Sequence, residues 1–167
     1  MDPEGNPIYE ELIKPVLKFT GTVKLHGTNA GICYSPNEGM FAQKRGSLLV
    51  RDNLVVSGGH FGFSEFVYVK RKKQLLDLMS SLHKYYCLES YEQIILYGEW
   101  AGIGIQKGVG ISEGKKAFYY FDCKIYNPKN DSNTWINVEE IVFEEIEDFY
   151  SIYDFETYEI EIDFNKP

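Results

Sequence analysis

The sequence predicts one domain that combines β-strands with helices. Its 167 residues, 44% of them hydrophobic, are enough to form one domain with a buried core but too few to form two comfortably. Runs rich in Val, Ile, Thr and aromatic residues indicate strands, whereas two longer segments space their apolar residues as helices do. Because no repeat or domain boundary is visible, we predict a single domain over residues 1–167.

The strands are predicted from composition and from the turns between them. Residues 19–35 (FTGTVKLHGTNAGICYS) are expected to form two strands joined by a tight turn at Gly27, which places Lys24 on the first strand. Further strands are expected at residues 40–43, 48–50, 93–97, 117–125 and 158–164.

Two helices are predicted from capping residues and apolar spacing. Ser64 is expected to cap a helix that runs to about Tyr86. Asn137 followed by Glu140 matches a capping box, and the apolar stripe after it predicts a helix to about Tyr153. The acidic residues of this second helix would face solvent.

The charge of the chain does not exclude a nucleic acid partner. The net charge is -8, but residues 139–163 hold 11 acidic residues and no basic one. Residues 1–138 therefore carry a net charge of about +2. The acidity of the whole chain is thus a poor guide to what this larger part binds.

Composition argues against a membrane span and a disulfide framework. No run approaches the roughly 18 apolar residues that cross a bilayer, and the first residues lack the pattern of a secretory signal. Cys33, Cys87 and Cys123 are odd in number and form no CxxC pair. We expect a cytoplasmic protein with no membrane partner, and the sequence leaves its oligomeric state open.

The glycine-rich segment 98–110 is a candidate ligand site without a known phosphate-loop pattern. It contains neither GxxxxGK[ST] nor GxGxxG, so neither Walker nor Rossmann binding is indicated. Glu99 follows an apolar strand, where its carboxylate could accept hydrogen bonds from a ligand hydroxyl. The glycines would let that ligand approach the backbone closely.

Lys24 is a candidate nucleophile. Between Val23 and Leu25 on a strand it would lose hydration, and Lys44 and Arg45 nearby would also favour the neutral amine. A neutral amine can attack a phosphorus or carbonyl centre and hold a covalent intermediate. The alternative, which is the commoner case for a strand lysine, is that Lys24 simply reaches solvent.

Four segments in order resemble one enzyme family. KLHGTN (24–29), QKRG (43–46), YGEWAGIGIQKGV (97–109) and FYYFDCKI (118–125) resemble the covalent nucleotidyltransferases, specifically ATP-dependent RNA ligases of the phage RNA ligase 2 and RNA-editing ligase group. The resemblance implies an α+β nucleotidyltransferase (ATP-grasp-like ligase) domain. Its antiparallel-rich sheets would carry helices on the outside and the nucleotide in the groove between them.

The resemblance implies catalytic roles for three residues of the first segment. Lys24 would attack the α-phosphate of ATP and become lysyl-AMP, with Mg²⁺ neutralising the phosphates. His26 and Asn29 would lie near the nucleotide and serve the step that seals RNA ends. For His26, a hydrogen bond that stabilises the turn is an equal alternative.

The resemblance also implies two binding sets. The residues that would bind the nucleotide are Val23, Lys24, Arg45, Glu99, Gln106 and Phe121. The residues that would contact RNA or phosphate are Lys44, Arg45 and Asp122. Glu99 would bind the ribose hydroxyls and Phe121 would stack on adenine, although a core role is the alternative for a strand phenylalanine. Lys107, beside Gln106, has no assigned role.

The sequence departs from the family after the fourth segment. No EGxV strand, whose glutamate serves the metal, and no KxK strand, whose lysines hold phosphates, follows Asp122. We therefore assign no metal ligand and expect the chain to be the front part of a longer ligase domain, with weak activity or none when it is alone.

These observations lead to one functional prediction and one alternative. The prediction is an ATP-dependent RNA ligase that joins 5′-phosphate and 3′-hydroxyl RNA ends through lysyl-AMP on Lys24, as in RNA repair. The alternative is a noncatalytic module that binds a nucleotide or an RNA end. A DNA ligase or capping enzyme is disfavoured, because HGTN stands where those branches carry DG after their lysine.

Overall fold

The computed structural model describes residues 3–5, 14–45, 47–49, 59–108, 114–141 and 144–166. It divides into two compact units, one formed by Met1–Val23 with Phe155–Pro167 and the other by Lys24–Asp154. The division reflects the packing of the chain, and the single-domain assignment stays a prediction. No helix in the described ranges is both long and apolar enough to cross a membrane.

The smaller unit is a two-stranded ribbon. Strand β1 (Val16–Gly21) pairs antiparallel with β9 (Tyr158–Asp163) over the full length of both strands. Asn165 extends the pairing beyond the strands, because its side chain accepts from the Lys14 amide at 3.0 Å and donates to the Lys14 carbonyl at 2.8 Å.

The larger unit is built on a seven-stranded sheet that is mostly antiparallel. Its strands are β2 (Thr28–Ser35), β3 (Gly39–Lys44), β4 (Ser47–Leu48), β5 (Gln93–Ala101), β6 (Ala117–Asn127), β7 (Ser132–Ile136) and β8 (Phe149–Ser151). They lie in the order β4-β3-β2-β5-β6-β7, and β8 pairs in parallel with β6. The prediction of an α+β fold rich in antiparallel strands is confirmed.

The two faces of this sheet have different chemistry. Successive side chains of a strand point to opposite faces, so Leu96 and Trp100 of β5 share one face, where both are buried in the main hydrophobic core. Helical residues such as Leu75 and Met79 cover that face. Glu99 belongs to the opposite face, and strand register places Asn29 and Asp122 on that face as well.

The first predicted helix exists but is divided and begins differently. It consists of α1 (Phe63–Glu65), a π-helical turn (Phe66–Lys70) and α2 (Lys72–Tyr85). Gly62, at φ 91°, precedes the helix, so the prediction of Ser64 as its cap is wrong. Because the chain turns at Gly62, the helix begins before Ser64. Ser64 therefore lies inside α1, where it is buried.

An ionic contact marks the break between the π-helical turn and α2. Arg71 has φ -121° and its Nε donates to the Glu147 carbonyl at 3.1 Å. Its guanidinium also pairs with the Glu147 carboxylate and with Asp148 at 3.4 Å. A tertiary contact therefore accompanies the change in helical geometry.

The prediction of a second helix is wrong. Asn137 does cap a turn, since its side chain accepts from the Glu139 amide at 3.2 Å, but only a short 3-10 turn at Val138–Glu140 follows. Strand β8 then begins at Phe149, which is buried while Tyr150 is exposed. In β8 pairing with β6 overrides the helical spacing. Val138 and Ile146 reach the core from outside this strand.

Candidate active site

Lys24 lies in the segment between β1 and β2. Strand β1 pairs with β9 whereas β2 pairs with β3 and β5, so the two strands do not form the predicted hairpin. The prediction that Lys24 sits on a strand is therefore wrong. Its side chain is exposed, as is that of His26, so a strand environment does not remove water from the Lys24 amine.

Two distant side chains hold the peptide of Gly27. Glu99 Oε1 accepts from the Gly27 amide at 2.9 Å, and Gln106 Nε2 donates to the Gly27 carbonyl at 3.1 Å. A Cβ atom at this position would lie 2.3 Å from the Trp100 carbonyl oxygen, so only glycine fits this close approach. The lysine segment is thus fastened to β5 and to the loop after it.

Glu99 is a half-buried carboxylate close to two basic side chains. It pairs in register with Asn29 on one side and with Tyr119 on the other. Burial raises the pKa of Glu99, while the hydrogen bond from Gly27 and the charges of His26 and Lys24 act in the opposite direction. The carboxylate is therefore within electrostatic reach of the candidate nucleophile.

Glu99→Gln is expected to raise the thermal stability of the protein at pH 8. The glutamine oxygen can still accept from Gly27, whereas the half-buried charge is gone. Since the pKa of Glu99 is raised above 4.5 by folding, its ionisation disfavours the native state as pH rises through that pKa. The gain in Tm should therefore shrink as pH falls toward 4.5. An equal difference in Tm at both pH values would contradict the expectation.

A basic cleft adjoins Asn29 on the same face. It measures about 540 Å³, and the residues that line it are Asn29, Gln43, Lys44, Arg45, Ser47, Leu48 and Tyr97. The structure thus brings together three predicted site residues, Asn29, Lys44 and Arg45. Two cations beside an open cleft suit an anionic ligand such as a phosphate.

Sequence reasoning missed His60, which lies against the start of β2. Its Nε2 is 3.1 Å from the Asn29 carbonyl and 3.3 Å from Thr28 Oγ1. Because a carbonyl only accepts, Nε2 carries a proton in this contact. Burial lowers the pKa of His60, the hydrogen bond to Asn29 raises it and the Lys44 charge lowers it further. No local pattern marks this contact, because it spans 31 residues of chain.

Phe121 lies at an irregularity of β6. The register between β5 and β6 shifts at this point, so that Gly98 pairs with Tyr120 and Tyr97 pairs with Asp122. Phe121 is the extra residue of this bulge and is half-buried. A bulge re-aims side chains and is common beside active sites.

Two further predicted residues are exposed, and one residue without a predicted role pairs with Glu99. Asp122 is exposed, and Val23 belongs to the smaller unit, where it is exposed. Tyr119 lies directly across from Glu99 and packs on the Tyr150 ring at 5.7 Å between centroids. No sequence pattern marks Tyr119, because its pairing with Glu99 is visible only in the tertiary structure.

The described ranges contain no cluster of three or more His, Cys, Asp or Glu side chains that could hold a metal ion. The site as described is instead a carboxylate, an amide and several cations around the Gly27 segment. Such groups bind polar and phosphorylated ligands by hydrogen bonds and charge.

The comparison with protein families decides the relationship. The family model of RNA ligase matches residues 17–161. The chain belongs to the RNA ligase family. This match includes Lys24, the Gly27 segment, Glu99 and the bulge at Phe121, so the site described above lies within the RNA ligase region. No curated protein sequence matches the chain.

Proposed function

We propose that this RNA ligase family member uses ATP to join RNA ends through an adenylate on Lys24. One observation carries the proposal: the segment that bears Lys24 is bound to Glu99 through the Gly27 amide at 2.9 Å. This contact supports the proposal that the candidate nucleophile and a candidate ribose-binding carboxylate act in one site. The charge of Lys24 also acts on that carboxylate.

The first step would be the transfer of AMP to the protein. The deprotonated Lys24 Nζ attacks the α-phosphorus, the bond to the bridging oxygen breaks and pyrophosphate leaves. Because Lys24 is exposed, the bound nucleotide rather than the fold would exclude water from the amine. Magnesium enters with the triphosphate, since Mg²⁺ commonly binds through substrate phosphates.

The nucleotide would be oriented by Glu99 and Phe121, with Gln106 and His26 beside the Gly27 segment. Glu99 accepts from the ribose hydroxyls and Phe121 stacks on adenine. Gln106 holds the Gly27 carbonyl at 3.1 Å, so its role is to position the lysine segment. The imidazole of His26 completes the nucleotide site in this proposal.

The RNA ends would meet the basic cleft. Lys44 and Arg45 line it together with Asn29, and two cations favour the binding of a 5′-phosphate. The phosphate of the RNA attacks the lysyl-AMP, Lys24 leaves and an RNA adenylate forms. A 3′-hydroxyl then attacks the 5′-phosphate and AMP leaves. Asp122 and Asn29 are the proposed contacts for these ends.

The direct test is covalent labelling of the intact chain. Incubation with ATP labelled in the α-phosphate and Mg²⁺ is expected to leave a label that survives denaturation. Mass spectrometry of peptides should place one AMP on Lys24. Saturable ATP binding without an adduct would overturn the ligase proposal in favour of the noncatalytic binding module. A label on Lys107 alone would overturn the assignment of the nucleophile.

A further inference from the structure

A lysine surrounded by three aromatic rings lies outside the site described so far. The Lys124 ammonium is 5.5 Å from the centroid of the Tyr97 ring, 5.9 Å from Tyr126 and 5.7 Å from Trp135. The Tyr97 and Trp135 rings are themselves 6.1 Å apart. We name these four residues the aromatic platform.

The platform is continuous with the basic cleft. Tyr97 lines that cleft together with Asn29 and Arg45, and the same ring contacts Lys124. Lys124 of β6 pairs with Trp135 of β7, so the aromatic platform extends to the edge strand of the sheet. One surface therefore leads from the proposed RNA-end site to the sheet edge.

Trp135 is exposed and does not belong to the hydrophobic core. Its side chain is 60% exposed, whereas the other tryptophan, Trp100, is 3% exposed within the core. An exposed indole beside a cation supplies a stacking surface and a charge. Nucleic acid strands are bound by this combination, because every base has a π-face and every linkage has a phosphate.

We infer that the aromatic platform binds unpaired RNA that leads away from the end held in the basic cleft. A base stacks on Trp135, and Lys124 contacts the adjoining phosphate. The inference rests on the proposed function for the direction of the strand. Asp122, opposite Tyr97 on the same face, offsets part of the positive charge. Stacking rather than charge should therefore dominate the affinity.

The test uses the intact chain, single-stranded RNA and no ATP. Quenching of tryptophan fluorescence reports on Trp135, because Trp100 is buried. Affinity is measured separately by the anisotropy of labelled RNA. Trp135→Ala is expected to weaken binding roughly 5-fold or more, as loss of one stacked base does. Trp135→Phe, which keeps a ring, should stay within about 3-fold of the parent affinity.

The controls separate contact from folding and from catalysis. Tyr85→Ala removes a ring that is 77% exposed on α2 and should leave RNA affinity unchanged. The logarithm of affinity falls as the logarithm of salt concentration rises, and Lys124→Gln should make this slope less steep by about 0.7, the value for one phosphate on a single strand. Thermal unfolding of each variant verifies that the protein remains folded.

The outcomes distinguish this inference from the proposed function. RNA affinity that is equal in the parent and in Trp135→Ala would overturn the platform, even if Lys24 is adenylated. The inference is supported if RNA quenches the fluorescence of the parent protein and Trp135→Ala binds RNA more weakly, even if ATP leaves no adduct. Binding of duplex RNA alone, without quenching by single strands, would also overturn it.

Discussion

Lys24→Arg is expected to abolish the covalent adenylate while ATP binding survives. Arginine keeps the positive charge and the length of the side chain, but its guanidinium does not deprotonate in proteins and is no nucleophile. The adduct should fall below detection, and the Kd for ATP measured by calorimetry should stay within about 3-fold. Comparing adduct formation with ATP affinity in this variant separates the nucleophilic role of the amine from the effect of its charge.

Another exposed lysine supplies the control for this substitution. Lys18 of β1 has a side chain that is 80% exposed and pairs with Glu161 at 4.0 Å, a contact of little energetic weight. Lys18→Arg should therefore leave both the adduct and ATP affinity unchanged. If Lys24→Arg still forms an acid-labile AMP adduct, another residue is the nucleophile and the proposed mechanism is wrong.

Gly27→Ala is expected to disrupt the site and to destabilise the protein. The added methyl would lie 2.3 Å from the Trp100 carbonyl oxygen and 2.8 Å from Ala101 Cβ. Both are parts of β5, so the lysine segment has to move away from the strand. The Glu99 and Gln106 hydrogen bonds to Gly27 are then lengthened or lost.

The effect of Gly27→Ala should appear in two measurements. Overpacking of this kind costs about 1–3 kcal/mol, which corresponds to a fall of roughly 2–12 °C in Tm for a chain of 167 residues. Displacement of Lys24 by about 1 Å would reduce the rate of adenylation by about 100-fold. The rate is measured by rapid quench at saturating ATP, where loss of affinity does not contribute.

Gly31→Ala is the matched control within β2. A methyl there would meet the flexible side chain of Gln43, whose Nε2 lies 2.8 Å away. Because that amide can rotate aside, the losses of stability and rate should be smaller than for Gly27→Ala. If Gly27→Ala adenylates at the parent rate, the contact with β5 does not position Lys24.

Local sequence was sufficient for the strands that build the site. The apolar run at β5 and the aromatic run at β6 were predicted because buried strands favour β-branched and aromatic residues wherever they pair. Glu99 was expected to follow the strand at residues 93–97, but β5 continues to Ala101 and includes Glu99. The four spaced segments indicated the RNA ligase relationship that the family model supports for residues 17–161.

Local sequence failed where a distant partner decides the conformation. The spacing of residues 137–153 suits a helix, yet parallel pairing of β8 with β6 buries Phe149 against the core. The glycine turn suggested a hairpin, yet β1 pairs with a strand at the other end of the chain. Such pairings are invisible to periodicity, because they depend on residues far apart in sequence.

The sequence by itself determined which chemical groups are present and which family they belong to: an amine, a carboxylate, basic residues and aromatic rings in the order of an RNA ligase. Only the tertiary structure decided how they meet. Glu99 and Gln106 reach Gly27 across 72 and 79 residues of chain, and His60 reaches Asn29 across 31. The physical reason is that strand pairing and close backbone approach, rather than local propensity, set the distances between these side chains.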